Sequence, residues 1–271
     1  MDLAQRLAEL DRLIGSYGSV LVAFSGGADS AFVLARAAAV LGPAAVVGAT
    51  AVSASLPVAE RAAAGEFARG LGVRWETPRT DEMSRDGYRA NAGDRCFFCK
   101  AELLDVLSPL ADRLGLAHVA TGTNADDVRA GFRPGIRAAA ERGAITPLRD
   151  AGLTKEQVRA ASRRWGLPTW DKPAAACLSS RVAYGVEVTP YRLGRVERAE
   201  TAVRHALAAS GLRNLRVRDL GERASVEVDA ALLPLDPEVE AGLVEAVRGA
   251  GFEAVAVDPR GFRSGSMNEA L

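Results

Sequence analysis

The residues whose types and spacing point most strongly to chemistry follow an apolar run, Val20-Leu-Val-Ala-Phe24. They are Ser25-Gly26-Gly27-Ala28-Asp29-Ser30, here named the glycine loop. Two glycines let the backbone turn tightly and approach a ligand, and the N–H groups and dipole of the helix that follows favour an anion. Ser25 and Ser30 add hydroxyl donors, whereas Asp29 repels a phosphate unless a cation lies between them. The loop therefore predicts a pyrophosphate site with a place for Mg²⁺.

The glycine loop lacks the G-x-x-x-x-G-K-[ST] pattern of a Walker loop. It resembles the PP-loop of the N-type ATP pyrophosphatases, which split ATP into AMP and pyrophosphate in order to adenylylate a substrate. A Gly-Gly turn alone is more often an ordinary strand–helix junction. The complete hexapeptide between a strand and a helix favours the nucleotide site.

The chain has three cysteines, and two of them form the C-x-x-C motif Arg95-Cys96-Phe-Phe-Cys99-Lys100. A Cys₄ zinc site is excluded by the count, and a Cys₃His site would need His118, which the predicted strand places in the core. Three cysteines suit an iron–sulfur cluster that leaves one iron open to a non-protein ligand. The alternative is that Cys96 and Cys99 are small buried apolar side chains.

The third cysteine, Cys177, lies in an irregular stretch that Pro and Gly residues interrupt, residues 167–190. Arg181 and Lys172 are expected to favour its thiolate, because nearby cations lower a thiol pKa and raise its reactivity. A lone cysteine in a loop is usually incidental. No packing pattern explains this stretch, however, which favours a functional cysteine.

Charged residues of the last third of the chain offer two further candidate sites. Arg216 and Arg218 alternate on a predicted strand and project from one face, where two arginines can bind a phosphate bidentately or form a solvated surface. Glu197 and Glu200 share one face of a predicted helix. They form either a divalent-ion site or an acidic surface pair. Arg223 and Arg263 are candidates for the region of the two strand arginines.

Apolar runs of strand length alternate with helix-length segments before residue 166. We predict strands at 20–24, 45–51, 73–77 and 118–122, and helices at 2–15, 31–41, 57–71, 99–114 and 154–165. The alternation predicts an α/β fold with a doubly wound parallel sheet. Ligands bind beyond the carboxyl ends of such strands, so the glycine loop and the turn Thr121-Gly122-Thr123-Asn124 are expected to face one pocket.

A smaller C-terminal α+β domain is predicted from helices at 190–210 and 237–250 and strands at 215–219, 225–228 and 253–257. We place the first domain at 1–172, a cysteine-bearing loop at 173–189 and the second domain at 190–271. A long ordered loop inside a compact protein is more often functional than idle.

Composition limits the function classes that the 271 residues can serve. Lys and Arg total 34, as do Asp and Glu, so the net charge is zero and a general affinity for nucleic acid is not expected. The amino terminus predicts an amphipathic helix, not a signal peptide, and the alanine-rich stretches carry too many charges to span a membrane. We therefore expect a cytoplasmic protein, whose odd number of cysteines argues against a disulfide framework.

Taken together, these segments resemble the LarE-type sulfur transferases of nickel-pincer cofactor biosynthesis, which are PP-loop enzymes with an adenine nucleotide alpha hydrolase-like fold. The resemblance covers nearly the whole chain. Many families share the PP-loop, whereas the cysteine-containing loop and the Arg-x-Arg strand are more particular. The segments that carry the resemblance are Ala23-Phe-Ser-Gly-Gly-Ala-Asp-Ser30, Asp94-Arg-Cys-Phe-Phe-Cys-Lys100, Ala120-Thr-Gly-Thr-Asn-Ala-Asp-Asp127, Arg133-Pro-Gly135, Ala151-Gly-Leu-Thr-Lys155, Leu167-Pro-Thr-Trp-Asp-Lys-Pro173, Ala176-Cys-Leu-Ser-Ser-Arg181, Leu215-Arg-Val-Arg218 and Gly261-Phe-Arg-Ser-Gly-Ser-Met-Asn268.

The resemblance implies a reaction in which ATP and Mg²⁺ adenylylate a carboxylate of pyridinium-3,5-biscarboxylic acid mononucleotide and release pyrophosphate. The loop cysteine then displaces AMP, and cleavage of its Cβ–S bond leaves a thiocarboxylate on the product and dehydroalanine in the protein. The residues that the resemblance assigns are Cys177, Asp29 and Arg181 for catalysis, Ser25, Gly26, Gly27, Asp29, Ser30, Gly122 and Lys100 for the nucleotide, and Arg216, Arg218, Ser180 and Arg263 for the substrate phosphate.

A second version of the family carries three cysteines and is thought to hold a [4Fe–4S] cluster, whose open iron binds the sulfide that is transferred. This chain has all three, Cys96, Cys99 and Cys177. Their presence favours the cluster version. Glu200 is retained as a further candidate metal ligand.

Three other functions compete with sulfur transfer. A PP-loop amide-forming ligase, such as an NAD or GMP synthetase, needs an ammonia source and no loop cysteine. A tRNA-thiolating enzyme is disfavoured by the zero net charge and the lack of an RNA-binding domain. A non-catalytic nucleotide-binding module is disfavoured by the intact Asp29 and Ser30.

The expected partners are few. The resemblance implies a homo-hexamer that acts on a small-molecule nucleotide, with other proteins of cofactor biosynthesis as candidate partners. Neither nucleic acid nor a membrane is expected to bind.

Overall fold

The computed structural model of the protein describes residues 2–129, 134–173 and 177–263. Contacts between residues divide the chain into two compact units. The first contains Met1–Glu82 and Cys96–Ala175, and the second contains Met83–Arg95 and Ala176–Leu271. Three parts of the predicted motifs lie outside the described residues, namely Arg133, Ala176 and residues 264–268.

Within the described residues, the first unit has a four-stranded sheet whose paired strands all run parallel. Its strand order is β3-β2-β1-β4, so the order reverses beside β1. The prediction of an α/β fold with a parallel sheet is confirmed. The strands are β1 (Val20–Ala23), β2 (Val46–Ala49), β3 (Arg74–Glu76) and β4 (His118–Ala120).

Helices fill most of the chain between and after these strands. All helices predicted from the sequence are present with shifted ends, whereas the short helices at 86–89, 125–129, 134–141 and 147–150 were not predicted. The described helices are α1 (Leu3–Tyr17), α2 (Ala28–Leu41), α3 (Val58–Gly70), α4 (Asp86–Arg89), α5 (Arg95–Arg113), α6 (Ala125–Arg129), α7 (Pro134–Glu141), α8 (Pro147–Asp150), α9 (Lys155–Arg164), α10 (Pro190–Ala206) and α11 (Pro237–Gly249).

Both faces of the parallel sheet are covered, because side chains of β1 point alternately to opposite sides. Val20 and Val22 belong to a buried cluster that includes residues of α1, α2 and α9. Leu21 and Ala23 belong to a second cluster, with Leu104 and other residues of α5. The continuous apolar run of β1 is therefore explained by burial on both sides.

Local capping explains where the helices begin. Thr154 and Gln157 form the predicted capping box at the start of α9. Helix α2 begins at Ala28, earlier than the predicted residue 31, and the carbonyl oxygen of Gly27 accepts the N–H of Ala31 in its first turn. Helix α5 begins at Arg95, four residues before its predicted start, so both cysteines of the C-x-x-C motif are helical.

The second unit has its own small sheet, of order β5-β6-β7, in the part of the chain that the structure describes. The strands are β5 (Leu215–Asp219), β6 (Arg223–Val228) and β7 (Ala254–Val257). Strands β5 and β6 are antiparallel, and β6 and β7 are parallel. Met83–Arg95, which the predicted boundaries place in the first domain, belongs to this unit, because it bonds to the backbone of residues 179–188.

None of the helices in the described ranges combines the length and apolar character needed to cross a membrane.

Close packing between α3 and β3 yields a stability prediction. A Cβ added at Gly65 would lie 2.6 Å from the ring of Trp75. We expect Gly65→Ala to lower the free energy of unfolding by about 1–3 kcal/mol through overpacking, as measured by urea denaturation. Gly70→Ala on the same helix meets no atom within 4 Å and is the control. It is expected to raise stability by about 0.5 kcal/mol, so equal effects of the two variants would refute the packing argument.

Candidate active site

The glycine loop follows β1 at the edge of the sheet where the strand order reverses, which is where ligands bind in open α/β sheets. Gly26 has φ +74°, a left-handed conformation that glycine adopts without strain. The hydroxyl oxygens of Ser25 and Ser30 lie 3.1 Å apart, and the N–H of Gly27 lies 3.4 Å from the Ser25 hydroxyl. The loop thus gathers backbone and hydroxyl donors at the start of α2.

The turn after β4 packs directly on this loop, as predicted. A Cβ on Gly122 would lie 2.8 Å from the backbone nitrogen of Ser30, so only glycine allows this approach. Asn124 donates from Nδ2 to Asp29 Oδ2 at 3.3 Å, and its Oδ1 accepts the N–H groups of Asp126 and Asp127 at the start of α6. Asn124 therefore orients Asp29, a role that the sequence analysis did not assign.

Asp29 carries a buried carboxylate oxygen, Oδ1, that has no hydrogen-bond partner among the described residues. Burial raises the pKa of this carboxyl, and the charge of Asp127 adds to the shift, while Lys155, Arg159 and the hydrogen bond from Asn124 oppose it. A buried oxygen without a partner needs a ligand. The residues present fit Mg²⁺, which proteins usually bind through one or two carboxylates together with substrate phosphates.

Lys172 lies against the glycine loop in the first unit. Its Nζ donates to the carbonyl oxygen of Gly26 at 3.0 Å and to Glu60 Oε2 at 2.6 Å. Arg159 holds this part of the chain by donating to the carbonyl oxygens of Trp170 and Lys172. From the sequence, Lys172 was expected to favour the thiolate of Cys177. In the structure the ammonium group of Lys172 bonds to Gly26 and Glu60.

The C-x-x-C motif occupies the first turn of α5. Cys96 is exposed, Cys99 is half-buried, and the three cysteines of the chain form no disulfide. Burial lowers the pKa of the neighbouring Lys100, while Cys99, Cys96 and Asp127 oppose this shift. A Cβ at Gly135 would meet the Cys96 carbonyl oxygen at 3.3 Å, so α7 approaches this turn closely. The two thiols are three residues apart on one helix and belong to the first unit.

Cys177 precedes a 3₁₀ turn, Leu178–Arg181, in the second unit; residues 177–181 are here named the cysteine turn. The Sγ atom of Cys177 lies 2.9 Å from the hydroxyl of Ser179. The hydroxyl of Ser180 donates to the Cys177 carbonyl oxygen at 2.7 Å. Arg181 Nη1 donates to that same carbonyl oxygen at 2.9 Å and to the Ser180 hydroxyl at 3.2 Å.

Arg216 and Arg218 on β5 lie beside the cysteine turn. Each is only 7% exposed, so they do not form a solvated surface. Arg218 donates to the Ser180 carbonyl oxygen at 3.2 Å and to Glu227 Oε2 at 2.8 Å. Burial, with repulsion from Arg181, lowers the pKa of Arg216 to about 10, so it stays protonated at neutral pH. The arrangement concentrates positive charge in the second unit.

Glu200 forms an ion pair with Arg181. Its oxygens accept from Arg181 Nε at 2.9 Å and Nη2 at 3.3 Å, and Oε1 also lies 3.2 Å from the N–H of Val217 on β5. Glu197, its predicted partner for a metal, is half-buried on the same helix. These contacts give Glu200 a structural role: it neutralises a buried arginine and binds the edge of β5.

Two further arginines were candidates for the substrate phosphate. Arg223 is exposed at the start of β6. Arg263 lies 3.6 Å from Asp258 Oδ2 and donates to the Gly261 carbonyl oxygen. These contacts hold Arg263 against the turn that follows β7.

The described residues contain no group of three or more His, Cys, Asp or Glu side chains placed to hold a metal ion. Cys96 and Cys99 belong to the first unit and Cys177 to the second. The [4Fe–4S] cluster that the sequence favoured stays a prediction.

The fold and its sites define an α/β protein that has a glycine loop at a strand switch point and a cysteine turn backed by buried arginines. No family model matches the chain. The chain is 42% identical over 271 residues to an uncharacterized protein of Synechocystis sp., and the match covers 99% of both chains. An uncharacterized protein of Methanocaldococcus jannaschii is 25% identical over 174 residues, which are 64% of this chain and 66% of that one.

A third relative has a known activity. The chain is 32% identical over 269 residues to the pyridinium-3,5-bisthiocarboxylic acid mononucleotide synthase of Lactiplantibacillus plantarum, and the match covers 99% of this chain and 96% of that enzyme. Identity of this degree over nearly the full length of both proteins shows common descent. The chain belongs to the LarE family of sulfur-transferring synthases, as the resemblance predicted.

The unpartnered oxygen of Asp29 yields a prediction with a definite pH dependence. When folding raises the pKa of a carboxyl, ionisation of that carboxyl destabilises the folded protein. This destabilisation disappears as the pH falls towards 3.8, the ordinary pKa of the group. Removing the charge from a buried oxygen raises the free energy of unfolding by an amount on the order of 1 kcal/mol. We therefore expect Asp29→Asn, without Mg²⁺ or ATP, to raise Tm at pH 7 by about 2–4 °C.

This gain in Tm is expected to shrink as the pH is lowered towards 4. Asp112→Asn, at an exposed position of α5, is the control and should change Tm by less than about 1 °C. A lower Tm for Asp29→Asn at pH 7 would contradict the account of Asp29.

The buried pair of Glu200 and Arg181 yields a second prediction. Glu200→Gln leaves a buried guanidinium without its countercharge, so we expect the free energy of unfolding to fall by about 3 kcal/mol. Glu197→Gln, on the same helix, is expected to change it by less than about 0.5 kcal/mol. Urea denaturation with and without EDTA checks both. If Glu200 is a metal ligand instead, EDTA will destabilise the wild type and not Glu200→Gln.

Proposed function

We propose that this protein is an ATP-dependent sulfur transferase, which converts carboxylates of pyridinium-3,5-biscarboxylic acid mononucleotide to thiocarboxylates for a nickel-pincer cofactor. The observation that carries the proposal is that one chain joins an anion-binding loop at a strand switch point to a cysteine turn backed by buried arginines. The activity of the L. plantarum relative supplies the substrate class. We also propose that the first unit has the PP-loop fold, since its strand order and glycine loop suit it.

The first half-reaction is assigned to the first unit. The glycine loop binds the phosphates of ATP through the donors of Ser25, Gly27 and Ser30, and Lys172 adds a cation beside Gly26. Asp29 Oδ1 would hold Mg²⁺, which offsets the repulsion between this carboxylate and the phosphates. A substrate carboxylate attacks the α-phosphorus, the bond to pyrophosphate breaks, and an acyl adenylate forms.

The second half-reaction is assigned to Cys177. Its thiolate attacks the acyl carbon, a C–S bond forms, and the C–O bond to AMP breaks. The Cβ–S bond of Cys177 then breaks with loss of the Cα proton, which leaves a thiocarboxylate on the product and dehydroalanine in the chain. Arg216 and Arg218 supply two cations for the 5′-phosphate of the substrate, with Ser180 beside them.

The first candidate sulfur donor is Cys177 itself, whose Sγ lies beside the Ser179 hydroxyl in the cysteine turn. A donor sulfide on a [4Fe–4S] cluster is the second candidate, because Cys96 and Cys99 lie three residues apart at the start of α5. Anaerobic purification with iron and acid-labile sulfide assays separates the two. Iron in active wild type, with loss of activity in Cys96→Ala and Cys99→Ala, would support the cluster.

The division of the reaction between two sites yields a sharp prediction. Cys177→Ala should retain substrate-dependent exchange of labelled pyrophosphate into ATP within about twofold, because adenylylation does not use the thiol. It should form no thiocarboxylate. Asp29→Asn should lose exchange by about 100-fold, since it removes the proposed metal ligand.

Cys96→Ala serves as the matched cysteine control and should retain both activities if Cys177 is the donor. Full product formation by Cys177→Ala would favour an amide-forming ligase and contradict sulfur transfer. Nucleotide binding without exchange in the wild type would favour a binding module.

A further inference from the structure

The segment that immediately precedes the C-x-x-C motif packs in the second unit, although more than 80 residues separate it from the cysteine turn. Its helix α4 is followed by Asn91, which is fully buried and has φ +52°. Left-handed conformations are uncommon for residues other than glycine, and asparagine is among those that tolerate them. An unusual backbone conformation held in a buried position indicates that surrounding contacts impose it.

The side chain of Asn91 bonds to the chain that leaves the cysteine turn. Its Nδ2 donates to the carbonyl oxygens of Ala183 at 2.7 Å and Val186 at 2.8 Å, with a longer contact of 3.3 Å to that of Val182. The carbonyl oxygen of Asn91 accepts the N–H of Gly185 at 3.2 Å. The Asn91 side chain therefore holds this irregular loop together with backbone hydrogen bonds such as that from the Ala183 N–H to the Asp219 carbonyl oxygen.

Arg95 extends these contacts to the cysteine turn. Its Nη1 donates both to Asn91 Oδ1 and to the carbonyl oxygen of Ser179, the latter at 2.8 Å. The guanidinium is buried and lies 5.8 Å from the ring centre of Tyr184. Ser179 is the residue whose hydroxyl lies 2.9 Å from Cys177 Sγ. Asn91, Arg95 and Ser179 thus form a hydrogen-bonded path that ends at the thiol.

We propose that Asn91 and Arg95 are positioning residues that hold Cys177 in its reactive conformation. The inference rests on the proposed function, since it assigns the thiol an acyl carbon to attack. Ordering an irregular loop opposes folding, and a nucleophile displaced by about 1 Å can lose about 100-fold in rate. The path from Asn91 orders the loop before substrate arrives.

The test uses a substitution that preserves shape. Asn91→Asp keeps the size of the side chain and its tolerance of a left-handed backbone, but it replaces the donor with an oxygen that faces carbonyl oxygens. We expect thiocarboxylate formation in a single turnover to fall by about 30-fold or more. Substrate-dependent pyrophosphate exchange should stay within about twofold of the wild type, because adenylylation is assigned to the first unit.

Two further variants separate positioning from general stability. Asn214→Ala also removes a side-chain donor in the second unit, but one that bonds to Asp229. It should reduce Tm and leave sulfur transfer within about twofold of the wild type. Arg95→Lys keeps a cationic donor for the Ser179 carbonyl oxygen and should retain more transfer activity than Arg95→Met.

The proposal is overturned if Asn91→Asp keeps normal transfer, or if it loses exchange and transfer to the same degree. A wild type without pyrophosphate exchange would instead refute the proposed function. In that case the alkylation of Cys177 by iodoacetamide, relative to Cys96 in the same sample, still tests the path from Asn91. The ratio should change by about threefold or more in Asn91→Asp, and an unchanged ratio would overturn the positioning role.

Discussion

The structure depends on the reversal of strand order beside β1. Parallel strands β1 and β4 end side by side, and the chain leaves them into α2 and α6, so the starts of two helices meet at one edge of the sheet. Backbone N–H groups at helix starts have no partners within the helix, and they create a site for an anion. Gly122 lets the two turns touch, and Asn124 ties Asp29 to the second of them. The result is an edge of the sheet at which backbone and hydroxyl donors lie beside a buried carboxylate.

In the second unit, several arginines are buried close together. Arg181 is neutralised by Glu200 and Arg218 by Glu227, at distances of 2.8–2.9 Å. Arg216 has Arg181 and Arg218 as repelling neighbours, which together with burial lower its pKa to about 10. Such a cluster holds more positive than negative charge, and an anionic ligand relieves the excess. The mononucleotide of the proposed function carries a phosphate that would meet this need.

Several features of both units could be predicted from the sequence, because they rest on local signals. The continuous apolar run at 20–24 predicted a buried parallel strand, and Thr154 with Gln157 predicted the start of α9. The short helices α4, α6, α7 and α8 were missed, since each is no longer than eight residues and has no full period of apolar residues. Helix α2 starts inside the glycine loop. Its start was predicted too late, because the two glycines that precede it indicated a turn.

The side-chain partners could not be predicted, because they come from distant parts of the chain. Lys172 lies 146 residues from Gly26, and Asn91 lies 92 residues from Ala183. The ion pair between the buried Glu200 and Arg181 could not be predicted either, because the two residues lie on separate elements. The sequence around Asn91 carries one signal, since a polar residue followed by Ala-Gly suggests a turn. The contacts of its side chain could be seen only in the folded structure.

The most direct test of the account is the mass of the protein after one turnover with ATP, Mg²⁺ and the pyridinium substrate. Peptide mapping should show that the peptide containing Cys177 has lost the mass of H₂S, in proportion to the thiocarboxylate formed, while the peptide with Cys96 and Cys99 is unchanged. Accumulation of thiocarboxylate with Cys177 intact would contradict the account, because the sulfur would then have come from another source.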